Sequence, residues 1–205
     1  MRSDVITISS SGTNMDAALE QAMKVADFKG LSPKNALHLR LLAEEMMGMM
    51  RSITGETSGK FWIEDEGDVY QLHLAVDTAM DEGKRKQLLA ASRTGKNEAA
   101  RGLMGRLREF FFRGVDEQLA SYNSPLLAAG TADTPNRPVT DWQWSLTRYQ
   151  NTVSELKGEK EEAAEAWDEL EKSVVNRVAD DVKISIKGWE TEMIILKKMA
   201  REAQA

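Results

Sequence analysis

Residues 69–76, VYQLHLAV, alternate so regularly that they fix one element and constrain its neighbours. In an extended chain Tyr70, Leu72, Leu74 and Val76 fall on one face, and Val69, Gln71, His73 and Ala75 on the other. An amphipathic helix would instead repeat its apolar positions every three or four residues. FWIED (61–65) lies just upstream, separated from this run by Glu66, Gly67 and Asp68. An acidic joint containing glycine between two β-rich runs predicts a hairpin. A hairpin with one apolar face needs further elements to cover it.

The rest of the chain supplies them. DVITIS (4–9) reads as a first strand with Ile6 and Ile8 on one face. Thr13 or Asn14 caps a helix running to about Phe28, with Ala17, Ala18, Met23 and Ala26 near one face, and Gly30 ends it. Ser32 and Pro33 open a second helix to about Ile53, with an apolar stripe of Leu37, Leu41, Leu42, Met46, Met49 and Met50, stopped by Gly55. Residues 81–93 and 98–113 read as helices. Residues 121–141 hold three of the four prolines and read as a long irregular connection, its end pinned by Trp142 and Trp144. Residues 154–179 read as one charged helix whose second half docks through Trp167, Leu170, Val174, Val175 and Val178. VKISIK (182–187) and EMIILKK (192–198) read as closing strands joined by residues 188–191. The expectation is a single domain, 1–205, with an insertion at about 114–160. Its fold class is α+β, a two-layer α/β sandwich with a mixed sheet of about five strands and helices on one face.

Bulk composition removes several functions. The chain has no cysteine, which excludes disulfides, thiolate metal sites and a cysteine nucleophile. A net charge of -6 argues against non-specific nucleic-acid binding, which needs clustered cations. The first twelve residues, MRSDVITISSSG, lack the apolar core of a signal peptide, and no apolar run approaches the roughly 20 residues that cross a bilayer. The expected location is cytoplasmic, with no membrane partner.

Three segments carry a family resemblance: LHLRLLAEEMMGMM (37–50), VYQLHLAVDTAMDEG (69–83) and SVVNRVADDVKISIKGWETEMIILKK (173–198). Together with the order of elements they resemble the GHKL (histidine-kinase-like, Bergerat-type) ATPase domain, in the form of the short anti-sigma-factor serine kinases. The resemblance covers about residues 4–95 and 165–198. It implies that Glu45 matches the family's general base or water-positioning glutamate. It implies that Asp77 matches the aspartate that hydrogen-bonds adenine. The departures fall on the chemistry. Met49 stands where the family has a magnesium-binding asparagine, and a thioether is a poor ligand for a hard cation. Ala79 and Asp81 stand where the family has the two glycines of its adenine box. The Gly-rich lid is replaced by TGKNEAARGLMGR, which reads as helix.

The remaining candidates have plain readings beside sharp ones. Glu44 and Glu45 read as a remnant catalytic pair or as helix-surface carboxylates. Asp77 reads as an adenine ligand or as a strand-end cap. The Met46, Met47, Met49 and Met50 cluster reads as an adaptable binding surface or as core filling the space of a nucleotide. TGKNEAARG (94–102) lacks the spacing of a phosphate loop. His38 and His73 lie on different elements and read as ordinary histidines, not metal ligands. Arg101, Arg106, Arg108 and Arg113 read as a solvated basic face, and Phe110–Phe112 as core or as a homodimer interface. The functional expectation is a non-enzymatic interaction module: a degenerate anti-sigma-factor-like domain that binds a sigma factor or an anti-sigma antagonist in bacterial partner switching, without cofactor. Residues 121–141 and the acidic stretch 154–166 are its expected contact surfaces. The alternative is an atypical serine-protein kinase using ATP and Mg²⁺ through Glu45, Asp77 and Asp81.

Overall fold

The computed structural model describes residues 1–9, 11–54, 58–77, 141–187 and 190–199. The described chain is α+β: one sheet with helices packed on one of its faces. The strands are β1 (Ile6–Ser9), β2 (Ser58–Glu66), β3 (Val69–Asp77), β4 (Asp141–Ser145), β5 (Asp181–Lys187) and β6 (Glu190–Lys198). The helices are α1 (Met15–Lys29), α2 (Pro33–Thr54), α3 (Leu146–Leu156), α4 (Glu161–Lys172) and α5 (Val174–Val178).

The sheet runs β1-β2-β3-β6-β5-β4, and every pairing is antiparallel. This corrects the expected mixed sheet of about five strands. The two hairpins and the antiparallel edge pairings leave no parallel neighbours among the described strands. The sixth strand, β4, contains Trp142 and Trp144, expected only to pin a loop. The register aligns one apolar row across all six strands: Ile6, Phe61, Leu74, Met193, Ile184 and Trp144. Ile63, Leu72, Ile195 and Val182 form the row beside it. Burial of these side chains against the helices is the main driving force of the fold.

Local chemistry sets the element ends. Gly67, at φ 66°, and Asp68 close the β2–β3 hairpin, in which Glu66 pairs with Val69. Gly30, at φ 62°, ends α1 in the left-handed conformation. Asn14 occupies the α1 N-cap position, but its side chain does not cap: Nδ2 donates to the Thr7 carbonyl at 2.9 Å. The Oγ atoms of Ser32, Ser145 and Ser173 accept backbone N–H bonds at the starts of α2, α3 and α5. Lys187 pairs with Glu190, so β6 begins two residues earlier than the sequence reading placed it.

The 154–179 reading is corrected too. That stretch comprises the end of α3, a break around Gly158, α4 and α5. The break lets α3 and α4 fold back on each other, burying Val153 against the same core as Ala163, Ala166 and Leu170. From Asp141 onward, the expected insertion supplies β4 and α3. The α2 stripe is rotated from its expected position. Leu39, Leu42, Ala43, Met46, Met47, Met49 and Met50 are buried, while Leu37 is exposed.

One ion pair ties the helical layer to the sheet. Lys29 of α1 places Nζ 2.7 Å from Asp65 Oδ2 of β2, with the side chains 13% and 5% exposed. The Met1 nitrogen lies 3.3 Å from Oδ1. Burial alone would push the Asp65 carboxyl up. Hydrogen bonds and charges from Lys29 and the Met1 nitrogen outweigh burial and hold it below the usual carboxylate value. Its stabilising effect is therefore present above the unfolded-state carboxyl value and is lost as pH falls through the lower folded value. Lys29→Met should cost about 2 kcal/mol at pH 7, because it removes the closer of the two cations that hold the buried carboxylate and leaves the Met1 nitrogen alone beside it. In urea melts at successive pH values that loss should shrink toward acid, as Asp65 protonates. A pH-independent loss would mean that Lys29 acts through packing.

Candidate functional site

The C-terminal half of α2 lies over one end of β2 and β3. The contact is tight because Gly59 of β2 has no side chain. A Cβ there would sit 3.2 Å from Met50 Cε, 3.1 Å from Leu74 Cδ1 and 3.1 Å from the Ala75 carbonyl oxygen. Gly59 pairs with Val76, the residue before Asp77. The Met49–Met50 turn of α2 and the Asp77 end of β3 thus share one end of the sheet. These are the two places to which the resemblance assigns the nucleotide.

Met49 is 1% exposed and belongs to the hydrophobic core, with Met46, Met47 and Met50 around it. Four aliphatic thioethers offer dispersion contacts and no oxygen to a cation. Glu45 lies one turn before Met49 on α2 and is half-buried, whereas Glu44 is exposed. Burial first, then the charge of Glu44, pushes the Glu45 carboxyl above the ordinary range. No hydrogen bond or ion pair joins the Glu45 side chain to another described residue. Asp77 is the last residue of β3, facing Glu190 across the ladder. Ala79 and Asp81 lie outside the described residues. So do residues 94–102, the arginines 101–113, Phe110–Phe112 and residues 121–140. Among the described residues no group of three or more His, Asp or Glu side chains is placed to hold a metal ion.

The most elaborate polar cluster is one that sequence reasoning missed, on the face of the sheet away from the helices. Trp62 of β2 stacks on His73 of β3, with centroids 4.8 Å apart and planes 10° from parallel. The Arg2 guanidinium also lies over the Trp62 ring, 4.8 Å from a ring centroid. His73 Nδ1 lies 2.9 Å from Glu192 Oε1 of β6, and Nε2 lies 3.9 Å from Glu64 Oε2. Trp62 Nε1 donates to Glu64 Oε1 at 2.9 Å. His73 is 6% exposed. Its described partners are carboxylates and a ring, with no hydroxyl to activate, so the cluster ties β2, β3 and β6 together and presents no nucleophile. The alternation of Trp62 and Glu64 with Phe61 and Ile63 was the signal that could have placed them beside His73.

The second histidine, His38, lies on α2. Burial, then the charges of Lys197 and Lys34, hold its pKa below the ordinary histidine value. The two histidines do not form a site. In the acidic stretch, Glu155, Glu159, Glu161 and Glu165 are exposed, while Val153, Ala163 and Ala166 face the core. No described helix is long and apolar enough to cross a membrane. No family model, curated protein or solved structure matches the chain.

Two substitutions distinguish a working carboxylate site from a filled one. A raised carboxyl opposes folding as pH rises through its value. Glu45→Gln should therefore raise stability at pH 7 by less than about 1 kcal/mol, since Glu45 retains solvent contact, and the gain should vanish in acid. A loss at pH 7 would reveal a partner that needs the carboxylate. Met49→Asn should cost about 3 kcal/mol in a chemical melt, because it puts an amide among methionines. An unchanged midpoint would mean that the position has polar space.

Proposed function

We propose that this chain is a non-enzymatic protein-binding module, a degenerate relative of the GHKL anti-sigma-factor domains whose nucleotide pocket is filled by side chains of α2. The observation that carries the reading is Met49. It occupies the position the resemblance gives to the magnesium-binding asparagine, and it is packed into the core with Met46 and Met50. A phosphate-bound Mg²⁺ needs oxygen ligands and keeps several waters, and a buried thioether provides neither. The tight seat of Met50 against Gly59 and the end of β3 supports the same reading. On it, the retained β-α-α-β-β order serves as a scaffold for binding a sigma factor or an anti-sigma antagonist, without cofactor.

The second reading is an atypical ATP-dependent serine-protein kinase. One specific observation favours it: Glu45 is half-buried with a raised carboxyl and no described partner, the profile of a base held in reserve. Calorimetric titration with ATP and Mg²⁺ separates the two. The protein-binding reading expects no saturable heat at millimolar ATP from protein shown to be folded by circular dichroism. Micromolar binding, weakened by Asp77→Asn, would replace it with the kinase reading.

A further inference from the structure

β1 ends one side of the sheet, and among the described residues β2 is its only strand neighbour. An edge strand presents N–H and C=O groups that template pairing with another chain. Residues 5–8, Val-Ile-Thr-Ile, are all β-branched and favour extended backbone, which raises that hazard. Val5 and Thr7 are exposed, so the strand is open to solvent. Contacts from the loop and helix that follow β1 close its edge. Asn14 Nδ2 donates to the Thr7 carbonyl at 2.9 Å. Gln21 Nε2, in α1, donates to the Asp4 carbonyl at 2.6 Å and to Ser3 Oγ at 2.6 Å. The Ser9 N–H donates to the Thr13 carbonyl at 3.1 Å. In an antiparallel strand, alternate residues direct their backbone polar groups to the same side. Thr7 and Ser9 obey that alternation, both bonded away from β2. For its contact Asn14 forgoes the capping bond that its position favours. It also holds φ at 60°, a left-handed conformation that costs any residue with a side chain, though asparagine less than most.

We infer that Asn14 and Gln21 are edge guards: they hold β1 closed against antiparallel pairing with β1 of a second copy of this chain. A second copy fits this edge because antiparallel pairing of a strand with itself is two-fold symmetric. Each copy then supplies the donors and acceptors that the other lacks. Thr7 lies at the centre of such a pair, since its N–H and C=O both point away from β2. Asn14 takes that C=O and stands where the second strand would lie. Gln21 does the same at the start of the strand. The device is independent of whether the chain binds a nucleotide or a partner protein.

The test is the Asn14→Gly, Gln21→Ala double variant, compared with wild type by sedimentation velocity from micromolar to submillimolar protein. Glycine keeps the left-handed backbone at position 14, and alanine is the best helix former at position 21. Each substitution therefore removes a contact and little else. The double variant should associate as concentration rises, its weight-average mass moving toward twice that of wild type at the same concentration. Adding Thr7→Pro should return it to the wild-type mass. Proline removes the N–H that points out of the edge, a loss that edge strands tolerate. Circular dichroism melts establish that each variant is folded. Should the double variant melt early, Asn14→Gly alone carries the test, with the same but weaker drift in mass. Hydrogen exchange at the Thr7 amide gives a reading that needs no proline: it should slow in the associated variant. Equal masses for wild type and the folded variants would overturn the inference. So would association that survives Thr7→Pro or leaves Thr7 exchange unchanged, since it would run through another surface.

Discussion

The seat of α2 on the sheet is the contact on which the rest of the structure depends. The helix buries Leu39, Leu42, Ala43, Met46, Met47, Met49 and Met50 on the apolar rows that cross the strands. It also meets α1 on one side and α5 on the other. At Gly59 the fit is tight: a Cβ there would come within 3.1 Å of the Ala75 carbonyl oxygen and 3.2 Å of Met50 Cε, so a neighbour would have to give way. Methionine suits the site because its unbranched thioether chain fills irregular gaps between a helix and a twisted sheet. The same packing spends Met46, Met49 and Met50 on the core, and under the proposed reading these are positions that would have to face a phosphate and its cation. Under the proposed reading, loss of a nucleotide site and gain of a well-filled core are one change.

The layers are then fixed by polar contacts on both faces of the hairpin. On the helical face, Lys29 reaches the otherwise buried Asp65. On the other face, Glu192 and Glu64 flank His73 while Trp62 stacks on His73 and takes Arg2 over its ring. Such contacts add less to net stability than apolar burial does, but removing one partner is costly, so they discriminate against shifted pairings. A one-residue slip of β2 would turn Asp65 away from Lys29 and Trp62 away from His73 together. The helical face and the outer face therefore specify the same register.

Much of this was legible in the sequence where period and turn chemistry agreed. The β2–β3 hairpin followed from strict alternation and from Gly67, and α1 and α2 followed from Gly30, Ser32 and Pro33. What was not legible depended on neighbours. Leu37 fits an apolar stripe by spacing alone, yet the helix is rotated so that Leu39 and Leu42 take the core. Trp142 and Trp144 follow a proline-rich stretch, and only pairing with β5 makes them a strand. The charged run 154–179 carries helical signals throughout, and Gly158 was too weak a signal to reveal the reversal that packs α3 on α4. Of the candidate site, Glu45, Met49 and Asp77 were named from resemblance, and the fold brings the Met49 turn and the Asp77 strand end together. The Trp62–His73 cluster needed the cross-strand register, which no single segment contains.

The most direct test of the central claim is to watch the methionines themselves. Protein labelled with ¹³C at the methionine ε-methyl groups, with Met46, Met49 and Met50 assigned by substitution, would be titrated with ATP and Mg²⁺ and followed by methyl NMR. If α2 fills the site, those resonances should stay in place to millimolar nucleotide. A saturable shift of Met49 and Met50, absent in Asp77→Asn, would show that a nucleotide enters between α2 and β3 and would contradict the account.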